Sequence, residues 1–117
     1  KINLKKRIVH FIAPTVFLTM VLSVTCFLRY IDGSVVLAIY LPIWIIGSLA
    51  TLSGKTIFAD VVIIFAGIGL IAEYLIYLSN GFHPNMSGAF LNSTILIVGL
   101  ILGAMLQIVS NVKLKTN

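Results

Sequence analysis

Four long apolar runs constrain this chain more than any other feature: Ile8–Leu28, Ser34–Ser53, Ile57–Ser79 and Phe90–Ser110. A bilayer core about 30 Å thick is crossed by about 20 apolar residues in a helix. Inside lipid, every backbone N–H and C=O needs a partner within the protein, and a helix provides them all locally. The connections between the runs are short, which makes successive helices antiparallel neighbours in a compact bundle. The expected fold is therefore all-α. It is a polytopic membrane protein of four antiparallel transmembrane helices, forming one domain over residues 1–117.

Composition leads the same way. Only 9% of the 117 residues are charged and 60% are hydrophobic, whereas an average soluble domain is roughly 25% charged. Three acids, eight Lys/Arg and two His cannot cover the surface that a soluble domain of this size leaves exposed. A soluble enzyme, a disordered tail and a disulfide scaffold are thereby excluded, and a lone Cys26 forms no intrachain disulfide. The first run has the basic start of a secretory signal. Its apolar stretch exceeds the usual length of about 7–15 residues and no small-x-small cleavage pattern follows, so it is expected to be retained as a span.

Basic residues set the expected orientation. With a cytoplasmic N-terminus, Lys1, Lys5, Lys6, Arg7, Lys55, Lys113 and Lys115 fall inside and only Arg29 falls outside, which is the bias that orients membrane proteins. Both termini are expected in the cytoplasm, most simply at a bacterial inner membrane. This asymmetry accounts for the net charge of +5 without nucleic acid. Lys5, Lys6 and Arg7 are placed against anionic lipid headgroups, each contributing about 1 kcal/mol near the surface.

Helices associate in lipid through small residues that permit close approach and polar residues that bridge. Such stripes run along every span: Thr15, Thr19, Ser23 and Cys26; Tyr40, Trp44, Gly47, Thr51 and Gly54; Ala59, Ala66, Gly69 and Glu73; Asn92, Gly99, Gly103 and Gln107. The Gly99-x-x-x-Gly103 pair marks a packing seam, either within the bundle or between copies of the chain. Self-association is the expectation. Pro42, near the middle of the second span, deprives the helix of one hydrogen bond and collides with the carbonyl of Ala38, so a kink or hinge is expected there.

Glu73 is the residue most able to carry chemistry. A carboxylate at membrane depth is costly, faces the bundle interior or a wet cavity, and is a functional candidate by default. The helical rise puts it about 7 Å outward of the third span's midpoint, with Tyr40 and Ser23 at nearly its depth and Thr94 slightly further out. Tyr40 and Trp44 share one face of the second helix. This set suits an ion, a proton or a polar ligand; the alternative is a protonated or Arg29-paired Glu73 that pins helices together. Asp60 lies about 12 Å inward, close to Lys55, and is expected to be solvated and favourable to the helix dipole.

The ingredients resemble those of the small multidrug transporters, four-span chains with one membrane-embedded Glu and nearby Tyr and Trp. In that family the Glu lies on the first helix and the aromatics on the third. Here Glu73 is on the third and Tyr40 and Trp44 on the second, so the likeness is an analogy and implies no membership.

Neither haem nor a metal is expected, because His10 and His83 fall at opposite ends of the bundle and no ligand cluster accompanies them. No nucleophile–base set and no phosphate loop occurs, so the chain is not expected to be an enzyme and no cofactor is implied. Two function classes stay open. One is a small membrane subunit that self-assembles and anchors, senses or regulates with a cytoplasmic or membrane partner protein. The other is a small proton- or cation-coupled transporter or channel built on Glu73.

Overall fold

The computed structural model describes residues 4–81 and 86–116. Four helices follow one another: α1 (Leu4–Phe27), α2 (Gly33–Leu52), α3 (Thr56–Ser79) and α4 (Met86–Thr116). Each contains a stretch long and apolar enough to cross a membrane, and no strand occurs among the described residues. The spans inferred from hydropathy are recovered, with two corrections at the ends. The first helix starts at Leu4, ahead of the basic run, and the last extends from Met86 to Thr116 rather than from 90 to 110. Hydropathy reports where lipid ends, whereas helical hydrogen bonding continues into the polar flanks.

The central element is α3, against which α1, α2 and α4 all pack. Its buried side chains Ile63, Ala66 and Leu70 join Leu18 of α1 and Tyr40 of α2 in one core cluster. Close approach depends on residues without bulk. A Cβ on Gly99 of α4 would lie 2.5 Å from the Cβ of Phe65, and one on Gly69 of α3 would strike the Asn92 side chain. Gly103 sits over Phe58 and Val61, and Gly47 over Ile63 and Phe11. The Gly99/Gly103 seam is thus occupied within one chain, by α3.

Helix ends are closed by specific devices. Both α1 and α2 finish in a Schellman turn, in which two amides return to carbonyls of the last turn. In the first, Arg29 N–H reaches Cys26 O and Tyr30 N–H reaches Thr25 O, both at 3.0 Å. In the second, Gly54 and Lys55 donate to Thr51 and Ala50. The left-handed residue is Gly54 (φ 89°) in one and Arg29 (φ 61°) in the other. Asp32 caps α2 by accepting from Val35 N–H at 3.1 Å; the Ser34 hydroxyl and that amide hold its carboxyl below the usual range. At the start of α3, the Gln107 side-chain oxygen from α4 accepts from Ile57 N–H at 3.1 Å and Phe58 N–H at 3.2 Å. A neighbouring helix therefore satisfies two of the donors that a helix start leaves unpaired. Arg7 donates to Leu52 O at 2.9 Å, placing a cation at the negative end of α2.

Ahead of Pro42, where a kink was expected, α2 runs through a π-turn over Val36–Tyr40. Leu41 N–H bonds to Val36 O, five residues back. This wider turn gives the proline ring room near the carbonyl of Ala38.

Candidate functional site

Glu73 stands on α3 nearly five turns beyond its start, half-buried, where three other segments converge. Its Oε2 accepts from the Tyr30 hydroxyl at 2.6 Å, and its Oε1 accepts from Asn92 Nδ2 at 2.7 Å. The same Asn92 nitrogen donates to Tyr40 Oη at 3.2 Å. Four elements are thereby joined: the turn after α1, the π-turn of α2, the C-terminal half of α3 and the first third of α4.

Local sequence explains each placement. Tyr30 follows the left-handed Arg29, and the Schellman turn sends the chain back over the end of α1 and toward α3. Gly69 removes the side chain that would collide with Asn92, so α4 can lean on α3 one turn below Glu73. The π-turn ends at Tyr40, which is buried and faces α3. Around the carboxylate, Tyr30 packs edge-on to Tyr74 at 5.2 Å and tilted on Tyr77 at 4.7 Å. Edge-to-face and offset geometries at these separations are favourable for aromatic pairs. Burial first, and then the hydrogen bond to Glu73, push the Tyr30 hydroxyl above its ordinary range.

A crevice of about 220 Å³ opens beside Glu73. Ile31, Val35 and Ile39 line it on the side of α2, and Ala89, Ser93 and Leu96 on α4. Glu73, Asn92, Tyr40 and Ser93 are its polar residues.

Of the residues chosen for depth, only Tyr40 joins Glu73, and it does so through Asn92. Trp44 donates to Thr15 Oγ1 at 3.3 Å and lines a separate groove between α1 and α2. Ser23 is exposed on α1, and Thr94 is exposed and donates to Phe90 O of its own helix. None of these three lines the crevice. Arg29 is not the partner of Glu73; Tyr30, its neighbour, is. Sequence reasoning missed Tyr30 and gave Asn92 only a packing role. The signal available was the group Tyr30, Tyr74 and Tyr77 beside a membrane acid.

Asp60 also departs from expectation. Rather than being solvated, its side chain is 13% exposed and its Oδ2 lies 2.6 Å from His10 Nδ1 of α1. Its Oδ1 is buried without a hydrogen-bond partner among the described residues. Pro14, one turn after His10, is buried and has no N–H for the His10 carbonyl. A groove lined by Val9, Ala13, Phe17 and Ile64 runs past the pair. Among the described residues no group of three or more His, Cys, Asp or Glu gathers to hold a metal; His83 lies outside them.

No family model, no curated protein and no solved structure matches this chain.

Proposed function

We propose that the protein is a non-catalytic integral membrane subunit that self-assembles and anchors, senses or regulates together with a partner protein, as immunity, phage-defence and complex-anchor components do. The observation that supports this reading is the closure of α3 between its two acids. From Asp60 to Glu73 the helix buries Val62, Ile63, Ala66, Gly67, Gly69 and Leu70. A carboxylate that passes protons or cations across a bilayer works with polar groups or water on its way to each side. This stretch offers apolar packing instead. Glu73 for its part is engaged by two neutral donors, an arrangement suited to joining helices. In the proposed orientation the end bearing Arg7 and Lys55 faces the cytoplasm of a bacterial cell, and the crevice opens in the outer half of the membrane.

One observation favours a second reading, a proton- or cation-coupled transporter. Glu73 lines an open crevice and so is reachable from one side. Liposome flux separates the two. The subunit reading expects proton and monovalent-cation flux no greater than in empty vesicles, for both wild type and Glu73→Gln. A wild-type flux that Glu73→Gln abolishes would overturn it in favour of transport.

A further inference from the structure

We propose that the crevice between α2 and α4 is the docking surface for a membrane-spanning helix of a partner protein, which presents one Lys or Arg side chain to Glu73. The proposal rests on the subunit reading above and names the kind of partner it requires.

Charge carries the argument. Ionisable groups at membrane depth pair with one another or face water, and the hydrogen-bond donors on Glu73 are both neutral: a tyrosine hydroxyl and an asparagine amide. Each carboxyl oxygen of Glu73 accepts one hydrogen bond, and an oxygen of this kind has room for a second. Glu73 itself lines the crevice. Tyr30 and Asn92 hold the carboxylate in place, so little ordering remains when a cation arrives, which favours tight binding.

Shape agrees with charge. The α4 wall carries Ala89 and Ser93 four residues apart, a small-x-x-x-small spacing that lets another backbone approach closely. The opposite wall is branched and rigid, with Ile31, Val35 and Ile39. At about 220 Å³, the space exceeds the ~150 Å³ of an apolar cavity that accepts benzene. That volume fits one long side chain, while the helix bearing it lies across the rim. A basic side chain would lay its methylene stem along the apolar wall and bring its charged head to the acid. Glu73 is six residues short of the end of α3, or about 9 Å along the axis, which sets the depth of the partner's basic residue.

The test uses the full chain in phosphatidylcholine vesicles with a synthetic Leu-rich transmembrane peptide as probe. The peptide carries one Lys six positions from its end, and a twin carries Leu there. Association is read by energy transfer between labels. The Lys peptide is expected to bind the wild-type chain about tenfold more tightly than its twin, a gain near the upper end of what one polar contact between helices gives. The preference should vanish in Glu73→Gln. It should also fall in Ser93→Leu, which narrows the wall at an exposed position and leaves the acid and its two donors in place. Equal binding of both peptides to wild type overturns the proposal. So does a Lys preference that survives Ser93→Leu, since contact would then lie outside the crevice. The flux measurement judges the subunit reading separately: loss of peptide preference without flux removes only the docking surface, whereas flux removes the reading itself.

Discussion

Tyr30 and Glu73, 43 residues apart in sequence, share a 2.6 Å hydrogen bond that ties the turn after α1 to the C-terminal half of α3. The turn has no other side-chain tie of this kind to the central helix among the described hydrogen bonds, so the contact should matter to stability. Hydrogen bonds between membrane helices average about 0.6 kcal/mol and reach about 1.7; those to charged groups in water run about 1.5–3 kcal/mol. Tyr30→Phe, Glu73→Gln and the double variant, compared by reversible unfolding in detergent, are expected to give a coupling energy of about 1 kcal/mol. Additive losses would show that the two residues stabilise the fold independently.

The same pair predicts behaviour at alkaline pH. The hydroxyl of Tyr30 is raised above the ordinary tyrosine value of 10.0, chiefly by burial and then by Glu73. A group raised on folding contributes stability that is complete below its unfolded value and lost as pH climbs through its folded value. Stability should therefore hold up to about pH 10 and decline above it. Tyrosinate absorbance should contain a late component that disappears in Tyr30→Phe and moves to lower pH in Glu73→Gln.

Depth was legible in the sequence, and azimuth was not. The helical rise put Tyr40 near the level of Glu73, where the Asn92 amide reaches both, and the cost of a membrane carboxylate directed attention to Glu73. Ser23 matched that depth too but points away, and Thr94 is two residues from Asn92, about 200° around the helix. Tyr30 was hidden for another reason. The turn that delivers it needs a left-handed residue, usually announced by Gly, and here the position holds Arg29. Pairings such as His10 with Asp60, or Gln107 with the start of α3, join residues about 50 positions apart. Local pattern has no access to such contacts, although it placed His10 and Asp60 separately at the same end of the bundle.

Gln107 provides a test of capping across helices. Its oxygen accepts from two amides at the start of α3, and its nitrogen donates to Asn111 Oδ1 at 3.1 Å. Gln107→Leu leaves Ile57 and Phe58 without that acceptor and should cost about 1–2 kcal/mol, in the range of a lost N-cap. Amide exchange at Ile57 and Phe58 should accelerate. Gln107→Glu keeps an acceptor and adds a negative charge at the positive end of α3, so it should retain most of the stability. Unchanged exchange in Gln107→Leu would show that water or the flanking chain replaces the cap.

Orientation is open to direct measurement. The sequence reading puts seven of the eight Lys/Arg on the side of the membrane that holds Arg7 and Lys55, and that side is expected to face the cytoplasm. Reporter fusions at Asn117 and at Pro84 should give opposite signals, with Pro84 outside. A cytoplasmic signal at Pro84 would place the crevice beside Glu73 in the inner half of the membrane.

Arg29 and Gly54 make a matched pair, because each occupies the left-handed position of a Schellman turn, at φ 61° and φ 89°. A side chain in that conformation costs roughly 1–2 kcal/mol relative to the right-handed region, and glycine avoids the cost. Arg29→Gly should therefore stabilise the chain, though by less than the full amount because glycine also loses more entropy on folding; a gain of about 1 kcal/mol is expected. Gly54→Ala should destabilise by a similar amount, with the left-handed backbone as the cause, since the nearest atoms to an added Cβ are those of the Arg7 guanidinium at 3.8 Å. The two variants are compared by melting temperature under one set of conditions. Destabilisation by Arg29→Gly would mean that the arginine side chain holds the turn through contacts of its own. In that case the delivery of Tyr30 to Glu73 depends on Arg29 itself, and Arg29→Gly should also shift the late tyrosinate component.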